Sequence, residues 1–322
     1  NTAMGHGALI ANTTASSNTA FGKSAMAANT TGQGEAFGTN ALVAQTTGSE
    51  NQAFGLNALT TLTTGTSNVA VGKGAFQLLT TGSDSVAIGR GAGDAVTTAA
   101  NNTFVGSASG GQTTTGAQNT AMGSLALTAN TTAAGNTAFG YRAGMTNITG
   151  LKLTAIGESA LRLSTGNDNT AVGTGAGEVT TGAANTWIGK HAGVSATSGD
   201  NNTAVGSGAL KVQVVSYRNA AVGTSACHRL TTGQNNIGIG VEANGATTGA
   251  HNTCVGDASG LVITTGGSNT FLGRFAGKSN TTGAENCYIG VATGQEETAM
   301  TVGNRNNVMG AYSAPSAING ND

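Results

Sequence analysis

The sequence is poor in the residue types on which most enzymes and most binding proteins depend. Charged residues make up 8% of the 322 residues, against about a quarter in ordinary domains. The 13 basic and 14 acidic residues are scattered singly and leave a net charge of −1, so no basic surface is predicted for binding nucleic acid. No apolar run approaches the length of a membrane span. Proline occurs once, and glycine does not recur every third residue, which excludes collagen.

Cysteine is also scarce. The three cysteines, Cys227, Cys254 and Cys287, have no metal-like spacing, and an odd number excludes a complete set of internal disulfides. We expect them to be small buried residues. No cofactor or metal is predicted.

Glycine is abundant, and its placement is periodic. A glycine preceded by an apolar residue recurs 18 times, with a spacing of 17 residues thirteen times and 16 residues four times. A fixed period of this length predicts one small structural unit stacked on copies of itself. The clearest of these anchor glycines are Gly5, Gly22, Gly55, Gly72, Gly89, Gly123, Gly140, Gly206, Gly273 and Gly290.

Numbered from the anchor glycine as zero, the repeat reads N-T-A-Φ-G-x-x-A-L, a variable stretch and then T-T-G. The residues before the anchor predict a short strand, and T-T-G predicts a second extended piece. Two or three short strands per repeat favour an all-β parallel solenoid, or β-roll, of about 18–19 coils of 16–17 residues. We expect it to span residues 1–294. An irregular end follows at residues 295–322, where Gly310 predicts a further coil.

Asparagine occupies position −4 in 15 of the first 18 repeats. Asn side chains stacked in register can hydrogen-bond from coil to coil as a ladder. The predicted ladder includes Asn18, Asn51, Asn68, Asn102, Asn119, Asn136, Asn169 and Asn202.

Both faces of the predicted strand carry apolar residues, because positions −1 and −2 point in opposite directions. We expect −1 to fill the core of its own coil and −2 to face identical chains, in a parallel homotrimer. Position −2 is large in five repeats, and position +4 is then always Gly, which predicts that −2 and +4 share one small space. The residues predicted to face sister chains are Ala53, Phe104, Trp187, Cys254, Phe271 and Tyr288.

Two units, Asn136–Ala143 and Asn169–Gly173, resemble the N-T-A-V-G-Y-x-A-L…T-T-G repeats of bacterial and phage tail-fibre-like proteins. The segment Ser85–Gly89 is similar to the shorter repeat of YadA-like heads in trimeric autotransporter adhesins. The resemblance covers about residues 1 to 310. It implies a trimeric fibre that lies outside the cell, on a cell surface or on a virion. It leaves open whether the source is a phage or a bacterium.

No catalytic constellation is predicted. Glycoside cleavage needs two carboxylates about 5 to 10 Å apart, whereas the acidic residues mostly stand alone, and the adjacent Glu296 and Glu297 favour a solvated turn. The sequence therefore predicts a non-enzymatic structural fibre or adhesin shaft, whose receptor, a cell-surface or carbohydrate one, would be bound through regions outside this chain. Two alternatives are a filament subunit that stacks end to end and an ice-binding solenoid that uses Thr ladders such as Thr46–Thr47 and Thr63–Thr64. Five N-x-T sequons lie at position +7 and leave glycosylation open.

Overall fold

The structure of the protein, a computed structural model, describes residues 1–246, 248–294 and 303–313. These residues contain strands and turns and no helix. The chain forms two compact units, Asn1–Thr165 and a second that begins at Gly166. Each unit is a parallel β-solenoid, and together they have about 18 turns. The division lies inside the segment 1–294 that the periodicity treats as one array.

The strands are short and recur once per coil. The first unit contains β1 (Thr2–Met4), β2 (Thr19–Phe21), β3 (Gly34–Phe37), β4 (Asn51–Phe54), β5 (Val69–Val71), β6 (Val86–Ile88), β7 (Thr103–Val105), β8 (Thr120–Met122), β9 (Thr137–Phe139) and β10 (Thr154–Ile156). The second contains β11 (Thr170–Val172), β12 (Thr186–Ile188), β13 (Ser195–Ala196), β14 (Thr203–Val205), β15 (Val212–Gln213), β16 (Ala220–Val222), β17 (Ile237–Ile239), β18 (Thr253–Val255), β19 (Thr270–Leu272), β20 (Cys287–Ile289) and β21 (Asn307–Met309).

Within each unit, every strand before an anchor glycine pairs in parallel with its equivalent in the next coil. Ala121 in β8 is opposite Ala138 in β9, and β20 pairs with β21, the strand that precedes Gly310. The prediction of two or three strands per coil is wrong for most coils, because within residues 1–246, 248–294 and 303–313 a second strand occurs only in the pair β13–β15. The T-T-G segments are too irregular for a strand, but they still stack: the Thr114 amide donates to the Thr131 carbonyl at 2.8 Å.

The anchor glycines turn the chain at the end of each strand. At Gly123 φ is +134°, and a Cβ there would lie 2.5 Å from the Gly140 carbonyl oxygen of the next coil. Both the backbone angle and the close approach of successive coils therefore require glycine. Further residues in the left-handed backbone conformation complete the turn without proline. Even a bulky side chain occurs in this conformation, since Leu127, at position +4, has φ 48°.

The asparagines at −4 form a buried ladder that also crosses the coil. The Asn119 amide N–H donates to Asn102 Oδ1 at 2.9 Å, and Asn136 N–H donates to Asn119 Oδ1 at 3.0 Å. Asn119 Nδ2 donates to the Ala133 carbonyl of its own coil, 14 residues away, at 2.9 Å. Each such amide therefore joins neighbouring coils and also ties the strand to the opposite wall. Ser85 continues the ladder where Asn is missing, since the Asn102 N–H donates to its Oγ at 3.1 Å.

The core lies on the −2 side of the strand, which reverses the sequence prediction. The six residues predicted to face sister chains are all 0% exposed within their own chain, namely Ala53, Phe104, Trp187, Cys254, Phe271 and Tyr288. A side chain without exposed surface has no area to offer a partner. The interior is narrow, so the strand's −4 and −2 side chains fill it together with the residues at +3, +4 and +7.

The shared space of −2 and +4 is confirmed inside the coil. A Cβ on Gly193 would lie 2.5 Å from Trp187 Cδ2, and one on Gly110 would lie 2.5 Å from Phe104 Cε1. Where −2 is alanine, a large residue often takes the space, as Leu210 does beside Ala204. Close packing thus keeps two large residues from occupying −2 and +4 of one coil. At Gly93, where both positions are small, Phe76 and Phe104 of the neighbouring coils fill the space.

Candidate functional site

A row of apolar side chains lies on the outside of the strands, at position −1. We call it the outer apolar row. In the first unit it consists of Met4, Phe21, Phe37, Phe54, Val71, Ile88, Val105, Met122, Phe139 and Ile156. In the second unit it consists of Val172, Ile188, Val205, Val222, Ile239, Val255, Leu272, Ile289 and Met309.

The outer apolar row is exposed although each member belongs to a regular strand. Away from the first coil, Ile88 is 40% exposed and Phe139 is 52% exposed. Parallel pairing places neighbouring members about 4.8 Å apart. The aromatic members stack: the rings of Phe21 and Phe37 are 5.2 Å apart, and those of Phe37 and Phe54 are 4.9 Å apart. The row is therefore continuous along the strands of each unit rather than a set of isolated apolar residues.

The residues beside the row are mostly small and uncharged. Position −3, on the same outward face, is usually threonine, as in Thr103, Thr120 and Thr137. A face with one apolar row and one threonine row can remain folded without charged residues. Single exposed apolar residues are common on protein surfaces, whereas a continuous exposed row of them is unusual. The row is therefore a continuous apolar surface that the folding of one chain does not bury.

The predicted Thr ladder is present in part. At the first Thr of T-T-G, the hydroxyl is used inside the solenoid: Thr80 Oγ1 donates to the Thr97 carbonyl at 2.9 Å, and Thr97 Oγ1 donates to the Thr114 carbonyl at 3.2 Å. The second Thr, such as Thr81 or Thr98, is exposed. The T-T-G face therefore presents one outward row of threonine where the sequence predicted two.

A second surface feature is a polar recess of about 180 Å³ on three successive coils of the first unit. We call it the polar recess, and its lining is Asn57, Lys73, Gly74, Gln77, Arg90, Gly91 and Asp94. The sequence prediction did not identify it, because its members stand at positions +1, +2 and +5 of different repeats. Burial raises the pKa of Asp94 above its ordinary value, against hydrogen bonds from the Ala95 and Asp94 backbone that lower it.

The cysteines offer no reactive centre in the core. Cys227 and Cys254 are buried, and burial raises the pKa of the Cys227 thiol to about 12 and that of Cys254 well above its ordinary value. Cys287 is partly exposed on the outer face of β20. Among residues 1–246, 248–294 and 303–313, no group of three or more His, Cys, Asp or Glu is arranged to hold a metal ion.

Four of the five sequons at position +7 are closed to modification in the folded chain. Asn29, Asn130, Asn147 and Asn280 are 0% exposed, and Asn147 Nδ2 donates to the Gly150 carbonyl at 2.9 Å. The +7 side chain fills the interior, which the sequence pattern did not reveal.

Comparison with known proteins does not identify a family. No family model matches the chain, and the search of curated proteins finds no significant relative. Across the described part of the chain, no helix is long and apolar enough to cross a membrane.

Proposed function

We propose that the protein is a non-enzymatic structural fibre or adhesin shaft, located outside the cell, on a cell surface or on a virion. Identical chains associate side by side as a parallel homotrimer, with the outer apolar row of each chain turned towards its partners. The observation that carries this proposal is the outer apolar row itself. The row takes the role of contact between chains that the sequence pattern predicted for the −2 residues, which are buried in the core of their own chain.

The row supplies most of the area that a specific contact needs. Six of the ten members in the first unit are 36–67% exposed, and the other four are partly exposed. With about 150 Å² for each side chain, the lower end of the range for aromatic residues, and about two fifths of it exposed, ten members present on the order of 600 Å². A standard specific interface uses about 800 Å² per partner. One unit of the solenoid therefore approaches this area on its own, before the threonines at −3 contribute.

A copy of the same chain is the partner that fits such a row best. The row repeats once per coil, and a partner fills all of it only if its own apolar groups recur with the same rise. A second copy aligned in parallel meets this condition at every coil, because each of its strands is paired with the same spacing. The resemblance to trimeric fibres favours three copies over two.

The test is the mass of the full chain in solution, measured by analytical ultracentrifugation and by native mass spectrometry. We expect a trimer for the natural sequence. In the triple variant Val71→Asp, Ile88→Asp and Val105→Asp, three carboxylates replace apolar residues of the row, and we expect a monomer with an unchanged circular dichroism spectrum, since these side chains take no part in the core.

A matched control places the same three charges on the same three coils but on another face. Thr81→Asp, Thr98→Asp and Thr115→Asp change exposed threonines of the T-T-G segment, and this variant should remain a trimer. A natural chain that sedimented as a monomer at all concentrations would refute the trimer. Dissociation of both variants would show that charge, and not the row, was responsible.

The two alternatives make different predictions in the same experiments. In an end-to-end filament the particles would lengthen with concentration, as electron micrographs would show, because the coil-to-coil hydrogen bonds continue from one chain to the next. An ice-binding solenoid would use the exposed threonine row and would produce thermal hysteresis. Its absence at millimolar concentration would exclude that alternative.

A further inference from the structure

The polar recess exists because two successive coils both lack a side chain at position +2. Gly74 and Gly91 occupy this position with φ +67° and +64°, whereas the preceding coil carries Asn57 there with φ 58°. Asn57 closes one end of the recess, and its Oδ1 accepts a hydrogen bond from Asn40 Nδ2 at 3.1 Å. The floor between the side chains is therefore backbone.

One wall of the recess is cationic. Lys73 and Arg90 both stand at position +1, on coils separated by about 4.8 Å, and both are exposed. Neither has an ion-pair partner in the part of the chain that the structure describes. In a chain with 8% charged residues, two neighbouring cations on one wall are an unusual concentration of positive charge.

The opposite wall accepts hydrogen bonds. Gln77 and Asp94 both stand at position +5 and reach back over the two glycines. Gln77 Oε1 would lie 3.1 Å from a Cβ on Gly74, and Asp94 Oδ2 would lie 3.7 Å from one on Gly91. The recess therefore offers a positive wall, an accepting wall and a space of about 180 Å³ between them.

We infer that the polar recess binds an acidic sugar, a pyranose ring that carries one carboxylate. The carboxylate would pair with Lys73 and Arg90, and ring hydroxyls would donate to Asp94 and Gln77. A neutral sugar would leave both cations without a partner. An inorganic dianion such as sulfate would bring a second negative charge close to Asp94 and has no hydroxyl to donate to it. The volume suits a single monosaccharide unit.

This inference does not depend on association of the chains. Every lining residue stands at +1, +2 or +5, and none belongs to the outer apolar row at −1. A monomeric variant such as the triple Asp variant of the row would still hold the recess, although that variant adds charge near Lys73 and is not used as the binding test. A failure to bind sugar would leave the trimer proposal untouched, and the reverse also holds.

The test is titration of the full chain with D-glucuronate, followed by isothermal calorimetry and by ligand-observed NMR. We expect a dissociation constant on the order of 1 mM, ordinary for a ligand of this size. D-glucose and sodium sulfate should each bind at least tenfold more weakly. Arg90→Ser should weaken glucuronate binding at least tenfold. Serine is tolerated at this position, because Ser107 and Ser124 occupy it in the next two coils.

A second variant blocks the recess without removing a charge. Gly91→Asn restores the residue found at Asn57, whose φ of 58° it can share, and a Cβ on Gly91 meets no atom closer than 3.7 Å. We expect it to fold and to abolish detectable glucuronate binding.

The control is Gly208→Asn. Gly208 has φ +64° at the same repeat position in the second unit, and a Cβ there would meet only Ser225 Oγ at 3.7 Å. This variant should bind glucuronate as the natural chain does. Equal binding of sulfate or of glucose, or unchanged glucuronate binding by both Arg90→Ser and Gly91→Asn, would overturn the inference.

Discussion

The pairing of a large −2 residue with glycine at +4 can be tested by exchanging the two volumes. Trp187 is completely buried, and its ring carbons Cδ2 and Cε3 would lie 2.5 Å from a Cβ on Gly193. In the next coil the same two positions hold Ala204 and Leu210, both buried. The double variant Trp187→Ala, Gly193→Leu therefore copies an arrangement that the chain already uses.

The expected magnitudes follow from the geometry. Trp187→Ala alone leaves a cavity and should lower the free energy of unfolding by about 4 kcal/mol. Gly193→Leu alone forces a side chain into the indole and should cost about 3 kcal/mol, of which about 1 kcal/mol is the left-handed backbone. In the double variant the leucine fills the space that the indole leaves. The backbone suits it, because Leu210 has φ 48° and Gly193 has φ +58°.

We therefore expect the double variant to lie within about 2 kcal/mol of the natural chain. The two single losses would together amount to about 7 kcal/mol, so the two changes should interact by about 5 kcal/mol or more. The assay is urea denaturation of the full chain, followed by far-ultraviolet circular dichroism because Trp187 is the only tryptophan. Losses that simply added, with the double variant the least stable of the three, would refute the shared space.

Three further predictions concern the ladder, the pH dependence and the thiols. Asn119→Ala leaves the Asn136 N–H without its acceptor, while the Ala133 carbonyl loses one of two donors and keeps Asn130 Nδ2 at 3.1 Å, so the variant should cost about 2 kcal/mol in urea denaturation. Asn119→Ser should cost less, since Ser85 Oγ accepts the equivalent bond, and equal losses would contradict the ladder. Burial raises the pKa of Cys227 and of Tyr288 to about 12. Because the unfolded chain loses these protons at lower pH than the folded chain, the free energy of unfolding should fall as pH rises from about 9 to 12, by at most about 1.4 kcal/mol per pH unit for each group. A stability that did not change in denaturation at pH 8 to 12 would contradict this prediction. With Ellman's reagent, one thiol, Cys287, should react in the monomeric triple Asp variant and three after unfolding; reaction of three thiols in the folded protein would place Cys227 and Cys254 outside the core.

The solenoid could be predicted because its cause is a periodic signal. A glycine every 16 or 17 residues fixes where the chain turns, and the asparagine before each strand follows from the same period. The number of strands per coil could not be predicted in this way. T-T-G has the composition of a strand. However, the hydroxyl of its first threonine and the backbone amides near it all donate to one carbonyl of the next coil, as those of Thr30 and Thr31 do to the Thr46 carbonyl. Several donors to one acceptor do not form the regular hydrogen-bond ladder of a strand.

The orientation of the strand could not be read from alternation, because alternation separates two faces without saying which one is inside. Both −1 and −2 are apolar, so composition did not decide between them. The polar recess was missed for a related reason: its charges are rare exceptions within a repeat, and a consensus removes exceptions.

The volumes do carry the missing information. A position inside a close-packed core can grow only if a neighbour shrinks, which is the relation between Trp187 and Gly193. The outer apolar row shows no such relation: Phe139 and Ile156 follow one another at −1 although Ala138 and Ala155 stand beside them at −2. Size that varies without compensation is a property of an open face. The variation in side-chain size along the row sets a condition on the proposed trimer. A partner related by symmetry presents the same residue at the same level, so each large or small residue of the row would meet its own copies. Any shift of register would place residues of unequal size opposite one another.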